Sequence, residues 1–309
     1  MQSLSDAIKE IMNEDDFDPK YRALMQEVYQ DEDVRSFIKA NEDKLSKETL
    51  VHGEAKLYEF YTQKKNPESS FAPGYEPALV MSGKWIDVTY QPSQKLTAKR
   101  NSQYRSKLVH SISMPKFVQS ASFESFDIND AQRAESIREA LDFIEGYTSD
   151  SDQYQPGLYL YGNFGVGKTY LLGAIANELA THGVASTMVH FPSLAVEIKN
   201  SINDKTIDTG KMVDTIKKSP ILMIDDIGAD AMSSWIRDDI LGVILEYRMQ
   251  AELPTFFSSN FSMKKLEDEH LAVNQRGDIE QLKAKRIMER IRFLAKEVTL
   301  TGENRRTRA

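Results

Sequence analysis

Residues 157–169 of this chain read GLYLYGNFGVGKT. The last eight, Gly162 to Thr169, match the pattern G-x-x-x-x-G-K-[ST] at every position. An apolar strand leads into the glycine-rich turn and a helical pattern leaves it, which is the setting in which this loop wraps phosphate. Glycines let successive backbone N–H groups turn inward around phosphate oxygens, and the helix N-terminus adds partial positive charge. The spacing places Lys168 for the β- and γ-phosphates and the Thr169 hydroxyl for Mg2+. The expected nucleotide cradle is therefore Gly162, Asn163, Phe164, Gly165, Val166, Gly167, Lys168, Thr169 and Tyr170.

A phosphate-binding loop (P-loop) needs a second element to hold metal and aim water. The run PILMIDD (220–226) supplies it, as a buried strand ending in two carboxylates at the carboxyl edge of a sheet. Asp225 is expected to bind Mg2+ directly or through water, and Asp226 to polarise the attacking water as base. Asn260 ends the next strand, PTFFSSN (254–260). An amide there is expected between the other two strands, within reach of water or γ-phosphate. In KRIMERIR (285–292), Arg286 and Arg290 are four apart and share a helix face. A guanidinium suits charge developing on a γ-phosphate and can come from a neighbouring subunit. The same pattern equally fits a basic amphipathic helix with Ile287, Met288 and Ile291 packed inward.

Around these motifs, strand and helix signals alternate from about residue 121. A helix capped by Asn129 or Asp130 runs to about Tyr147, with Ala134, Ile137, Ala140, Leu141 and Ile144 on one face. Strands follow at 157–162, 184–191, 221–225, 254–260 and in KEVTLTG, with helices at 168–182, within 193–218, and near 233–252 and 279–292. Such alternation predicts an α/β fold, a parallel sheet covered on both faces by helices. The first sixty residues predict a smaller, mostly helical domain: Leu4, Ile8, Ile11 and Met12 repeat at helical spacing, as do Tyr21, Leu24, Met25, Val28 and Tyr29. Pro19 suits a helix start. Prolines and glycines then punctuate a strand-like run over 66–93, a small β module. Residues 94–116 are basic and aperiodic and read as a linker. The resulting division is an N-terminal domain (1–100), a basic linker (101–120) and a P-loop domain (121–309).

Composition narrows the classes. The 309 residues are 40% hydrophobic with a net charge of −8, which excludes a wholly disordered chain. No apolar run is long enough to span a membrane, and the N-terminus turns acidic where a signal peptide needs an apolar core, so a cytoplasmic protein is expected. The chain has no cysteine, so disulfides and cysteine-ligated zinc are excluded. Residues 61–116 hold 9 basic and 3 acidic residues, as does the tail 281–309. These basic stretches suit an anion such as a phosphate backbone.

Taken in order and spacing, GLYLYGNFGVGKTYLLGAIANELA, ILMIDDIGAD, MSSWIRDDILGVILEYRM, PTFFSSNFS and KRIMERIR resemble the AAA+ ATPases, and more closely the DnaC/DnaI family of bacterial replicative helicase loaders. The resemblance implies an ATPase using ATP and Mg2+. It implies a loader of the hexameric replicative DNA helicase onto single-stranded DNA, a primosome component acting in initiation or restart of replication. Asn260 takes the sensor 1 position, Arg286 that of an arginine finger acting on a neighbouring subunit, with Arg290 a second arginine on the same face. Arg305 or Arg306 takes sensor 2, reaching nucleotide in cis, and Phe123, Phe126 and Ile128 border the adenine. The helicase is expected on the N-terminal domain. Self-association is expected through the ATPase domain, with other primosome or initiator proteins as further partners.

Two departures stand out. AAA+ chains usually carry Asp-Glu at the strand end, where this chain has Asp225-Asp226, as loaders also tolerate. Some family members hold zinc in the N-terminal domain through Cys and His, whereas residues 63–101 contain neither. The β module is therefore expected without zinc, held by Phe71, Tyr75, Leu79, Trp85, Ile86, Val88 and Tyr90. The competing readings are a transposition helper ATPase, which shares the ATPase motifs, and a nucleotide-gated adaptor whose hydrolysis is vestigial.

Overall fold

The computed structural model of the chain describes residues 19–67, 72–128, 130–150, 153–201, 208–229, 232–273 and 279–305. It divides into two units, Met1–Ser102 and Gln103–Ala309. In the first, the acidic N-terminal stretch forms helices α1 (Pro19–Gln30), α2 (Glu32–Ala40) and α3 (Lys47–Lys65). The breaks have local causes. The Asp31 carboxylate accepts from the Asp33 and Val34 amides and starts α2; the Ser46 hydroxyl accepts from the Thr49 amide and starts α3. An antiparallel hairpin, β1 (Tyr75–Ser82) and β2 (Trp85–Pro92), follows. It seats against α3 at Gly53, where a Cβ would fall 2.7 Å from Ile86 Cδ1.

The core of this unit includes Met25, Val28, Val34, Leu50, Leu57 and Ile86, with Leu79 and Val88 packed against it. Tyr75 and Tyr90 are half-buried. Trp85, expected inside, lies outward and 37% exposed, edge-on to His52 with Lys84 over its ring. The strand period of two turns Ile86 and Val88 inward and leaves Trp85 on the other face. Phe71 lies outside the described residues, as do Leu4, Ile8, Ile11 and Met12.

The stretch read as a linker over 101–120 is built from regular elements. It comprises the end of helix α4 (Gln94–Leu108), strand β3 (Val109–Ile112) and a 3-10 turn at Lys116–Ser120. Helix α4 buries none of its residues, so no apolar period marks it, and four residues of β3 are too few to show alternation.

In the second unit β3 joins β4 (Gly157–Tyr161), β5 (Ser186–His190), β6 (Ile221–Asp225), β7 (Thr255–Ser259) and β8 (Ala295–Thr299) in one sheet. The order is β3-β5-β6-β7-β4-β8 and every pairing is parallel. Helices α5 (Ala131–Ser149) and α6 (Lys168–Thr181) cover one face; α7 (Phe191–Ser201), α8 (Thr209–Lys218), α9 (Gly242–Gln250) and α11 (Gln281–Leu294) cover the other. A one-turn helix, α10 (Met263–Lys265), precedes α11. Alternate strand residues feed the two layers: Leu158, Leu160, Met223 and Phe256 one side, Tyr159, Leu222, Ile224 and Phe257 the other. This is the α/β P-loop ATPase fold with helices on both faces of a parallel sheet, preceded by a smaller helical unit with a β hairpin.

Two details differ from expectation. Ala134 and Leu141, placed with Ile137 on one face of α5, are both exposed, Leu141 to 44%; the buried face is Arg133, Ser136, Ile137, Ala140, Phe143 and Ile144. Asp130 starts this helix by accepting from the Arg133 amide at 2.8 Å, and packing on the sheet sets Phe143 rather than Leu141 against Phe256. The helix expected over 233–252 opens with a wide π turn, Ile236–Leu241, before α9. Near its end the fully buried Arg248 donates to the carbonyls of Lys217, Ser219, Pro220 and Pro254, tying α9 to the starts of β6 and β7.

Candidate active site

The strand order brings the chemistry together. In the sheet β7 lies between β6 and β4, so the residues just beyond Tyr161, Asp225 and Ser259 emerge side by side at the carboxyl edge, where open α/β sheets bind ligands. His190 is paired with Asp225 in the next register position.

The P-loop crosses that edge tightly. A Cβ at Gly162 would fall 2.0 Å from Leu300 O, and Gly167, at φ +104, occupies the left-handed region. Gly167 caps α6 without a side-chain hydrogen bond, so the first amides of that helix are donors with no intrahelical acceptor. An anion fits there.

Lys168 extends back across the loop and donates to Gly162 O (2.8 Å), Asn163 O (2.9 Å) and Asn260 Oδ1 (2.8 Å). The other end of the same amide, Asn260 Nδ2, donates to Asp226 Oδ1 at 3.1 Å. Asn260 thus bridges the loop lysine to the second carboxylate, and its two ends match its two partners in hydrogen-bonding sense. Asp226 sits at φ +60, a left-handed backbone that few non-glycine residues adopt. Its amide donates to Ser258 Oγ, and that hydroxyl donates to Asp225 Oδ1 at 2.5 Å. One serine therefore sets the geometry of both carboxylates.

Asp225 also accepts from the Thr169 hydroxyl, at 2.9 and 3.1 Å from its two oxygens. It is 3% exposed. Burial pushes its carboxyl above the usual range, against the hydrogen bonds from Ser258 and Thr169. A buried carboxylate beside a hydroxyl is a pair of hard oxygen donors that a divalent cation such as Mg2+ would relieve.

The cavity over these groups measures about 470 Å3. Phe117, Phe126 and Tyr170 line it as well, and Phe117 and Tyr170 stack at 6.3 Å. Phe126, expected to border the adenine, is one of these lining residues. Phe123 is half-buried and packs into the core behind it, while Ile128 is exposed and does not line the cavity. Arg305 lines the cavity, its amide donating to Gly165 O and its guanidinium to Asp127 Oδ2 at 2.6 Å. Arg306 lies outside the described residues, as does Asn129.

Arg286 and Arg290 do not line this cavity. They border a separate groove between α9 and α11 with Gly242, Glu246 and Tyr247. There the two arginines part company. Arg290 donates to Gly242 O at 2.9 Å and pairs with Glu246, whereas Arg286 is exposed.

Several residues of the site carry no role in the sequence reading, Phe117 among them. Ser258 was legible only as part of a strand end. His190, with Nε2 4.0 Å from Asp226 Oδ2 and Nδ1 2.8 Å from Ser193 Oγ, ends a strand that gives it no motif. Arg133 lies four residues before Ile137, on the buried face of α5, and that period is the signal that marks it.

Comparison with known proteins agrees along the whole chain. The family model described as the primosomal protein DnaI N-terminus matches residues 1–90, and the bacterial DnaA ATPase domain matches residues 117–275. The replicative helicase loader DnaI of Bacillus subtilis (strain 168) is 38% identical over 317 residues, covering 99% of each chain. A crystal structure of DnaI is 45% identical, covering 65% of this chain and 98% of its own, with TM-score 0.56. A Streptococcus pyogenes serotype M3 structure described as a primosome component is 41% identical, covering 65% and 97%, with TM-score 0.54. Identity spanning both units, together with a P-loop and two-carboxylate edge of this geometry, means that the chain belongs to the DnaI family of replicative helicase loaders.

Proposed function

We propose that this chain is an ATP-dependent loader that places a replicative DNA helicase on single-stranded DNA, and that it hydrolyses ATP in doing so. The observation that carries the catalytic part is the bridge from Lys168 through Asn260 to Asp226. It couples the group suited to a γ-phosphate with the group suited to attacking water. Membership of the helicase-loader family supports the biological part.

Bound Mg2+–ATP supplies the γ-phosphoryl group and the charge that draws it out. Thr169 and Asp225 would hold the metal, directly or through water. Lys168 exchanges its carbonyl partners for the β- and γ-phosphate oxygens, while Asn260 orients both the lysine and Asp226. Asp226 accepts the proton of the attacking water, with its carboxylate aimed by the left-handed backbone and the Asn260 amide. Arg286, exposed on α11, serves a neighbouring copy's site. Arg290 holds α11 to α9 instead of acting on nucleotide, and Arg305 reads nucleotide in cis from the C-terminal tail. The N-terminal unit (Met1–Ser102) grips the hexameric helicase, and the P-loop unit (Gln103–Ala309), whose sheet includes β3, self-associates and contacts DNA.

The test is turnover of the full chain with ATP and Mg2+, alone and with a replicative helicase and single-stranded DNA, beside gel filtration with that helicase. Co-elution and stimulated turnover are expected. Co-elution without turnover in any mixture identifies a nucleotide-gated adaptor; turnover without co-elution points to a transposition helper.

A further inference from the structure

Arg133 is buried to 1% exposure at the start of α5, against the cavity of the P-loop. Three of its donor contacts go to backbone carbonyls: Nε to Asp127 O at 2.7 Å, and Nη1 to Val166 O and Thr301 O at 2.8 Å each. Its guanidinium carbon lies 4.4 Å from the Phe126 ring centroid. The remaining nitrogen, Nη2, is buried and has no hydrogen-bond partner among the described residues. It lies 3.8 Å from where a Cβ on Gly167 would sit. A buried guanidinium N–H left unpaired loses its hydration with nothing in exchange. Such a group is completed by an ordered water or by a ligand acceptor.

The surroundings of Arg133 identify the acceptor. Phosphates are served by the P-loop amides and Lys168, whereas Arg133 is fastened to the Val166 carbonyl beside the Phe126 ring. Lys168, Thr169 and Asp225 occupy the phosphate and metal end. Phe117, Phe126 and Tyr170 add flat apolar surface suited to a base to the same cavity. A donor-only guanidinium beside stacked aromatics meets the ring nitrogens of a purine, which are acceptors.

We propose that Arg133 is a base-reading residue, whose Nη2 donates to a ring nitrogen of the purine while Nε and Nη1 hold it to Asp127, the P-loop and the C-terminal tail. The proposal rests on the nucleotide-binding reading above and extends it from the phosphates to the base. Through Thr301 the same side chain ties base recognition to the tail that carries Arg305.

The test crosses one variant with altered ligands, using the full chain and equilibrium binding with melting temperature as the fold control. Arg133→Gln should weaken ATP about ten- to a hundredfold and leave inorganic tripolyphosphate unchanged. On the wild-type chain, one of 1-deaza-, 3-deaza- and 7-deaza-ATP should bind at least about tenfold more weakly than ATP, and that penalty should vanish in Arg133→Gln. Equal weakening of ATP and tripolyphosphate by the variant would assign Arg133 to holding the loop alone and overturn base reading. If the variant does not fold, the wild-type series decides: three deaza analogues that all bind like ATP overturn the proposal. A wild-type chain that binds neither ATP nor tripolyphosphate would instead overturn the nucleotide site itself.

Discussion

The P-loop edge of the sheet and the α9–α11 groove both gather charged side chains, but they treat them differently. At the sheet edge each polar group is engaged by another from the same chain: Lys168 by Asn260, Asn260 by Asp226, Asp225 by Thr169 and Ser258. In the groove, Arg290 is engaged by Gly242 and Glu246 while Arg286, one turn away, stands exposed. A site whose geometry is complete within one chain is preorganised by its backbone. A group left outward on a rigid helix is suited to a surface the chain does not itself provide. The first is where binding and bond cleavage are expected to depend on single residues, and the second is where they are expected to depend on assembly.

The largest effect should come from Asp226→Asn, which keeps shape but removes the base. ATP affinity should stay within a few-fold while turnover falls about 10²–10⁴-fold. Turnover at the wild-type rate would mean that the sheet edge is preorganised around some other base. Lys168→Ala removes the charge facing the phosphates and one end of the Asn260 bridge. A fluorescent-nucleotide titration should read a loss of affinity of about a hundredfold, and an unchanged curve would break the assignment of this edge to nucleotide.

Arg286→Ala should leave fold, ATP affinity and helicase association intact and lower only assembly-dependent turnover, by about tenfold or more, toward the range in which arginine fingers act. Mixing sharpens this. Arg286→Ala chains keep an intact P-loop and Lys168→Ala chains keep an intact finger, so the mixture should regain part of the activity that each lacks alone. A mixture no more active than its parts, with co-assembly shown by cross-linking, would make Arg286 an ordinary surface residue. The smallest effect falls on its neighbour. Arg290→Ala should destabilise the fold by about 1–2 kcal/mol in denaturant unfolding, through loss of the hydrogen bond to Gly242 and the pairing with Glu246. An equal destabilisation by Arg286→Ala would erase the distinction between the two arginines.

Much of the sheet edge was legible beforehand because its parts are local. The P-loop is contiguous, the Asp225-Asp226 pair ends an apolar run of strand length, and Asn260 ends the next such run. Less legible were groups whose role depends on rotation or on a neighbour's position. Leu141 and Phe143 are two residues apart, and packing on the sheet, with Phe143 against Phe256, decides which faces the core. Trp85 looks like core by type and is turned out by the strand's alternation. Strand β3 is too short for a period, and its register with Ser186–His190 exists only once the sheet forms.

The amino-acid sequence by itself determined the family of fold, the loop that meets phosphate and the two carboxylates beyond the β6 strand, because each is written in a few consecutive residues with fixed φ, ψ and spacing demands. Tertiary structure alone decided that Ser258 governs both carboxylates, that one amide links Lys168 to Asp226, that Arg290 is held inside the chain while Arg286 is exposed, and that Arg133 borders the cavity with one nitrogen unpaired among the described residues. The hydrogen bonds among them join residues from 32 to 92 positions apart. Hydrogen bonds are satisfied by distance and angle in space, and sequence separation carries no information about either until the sheet has brought the strands together.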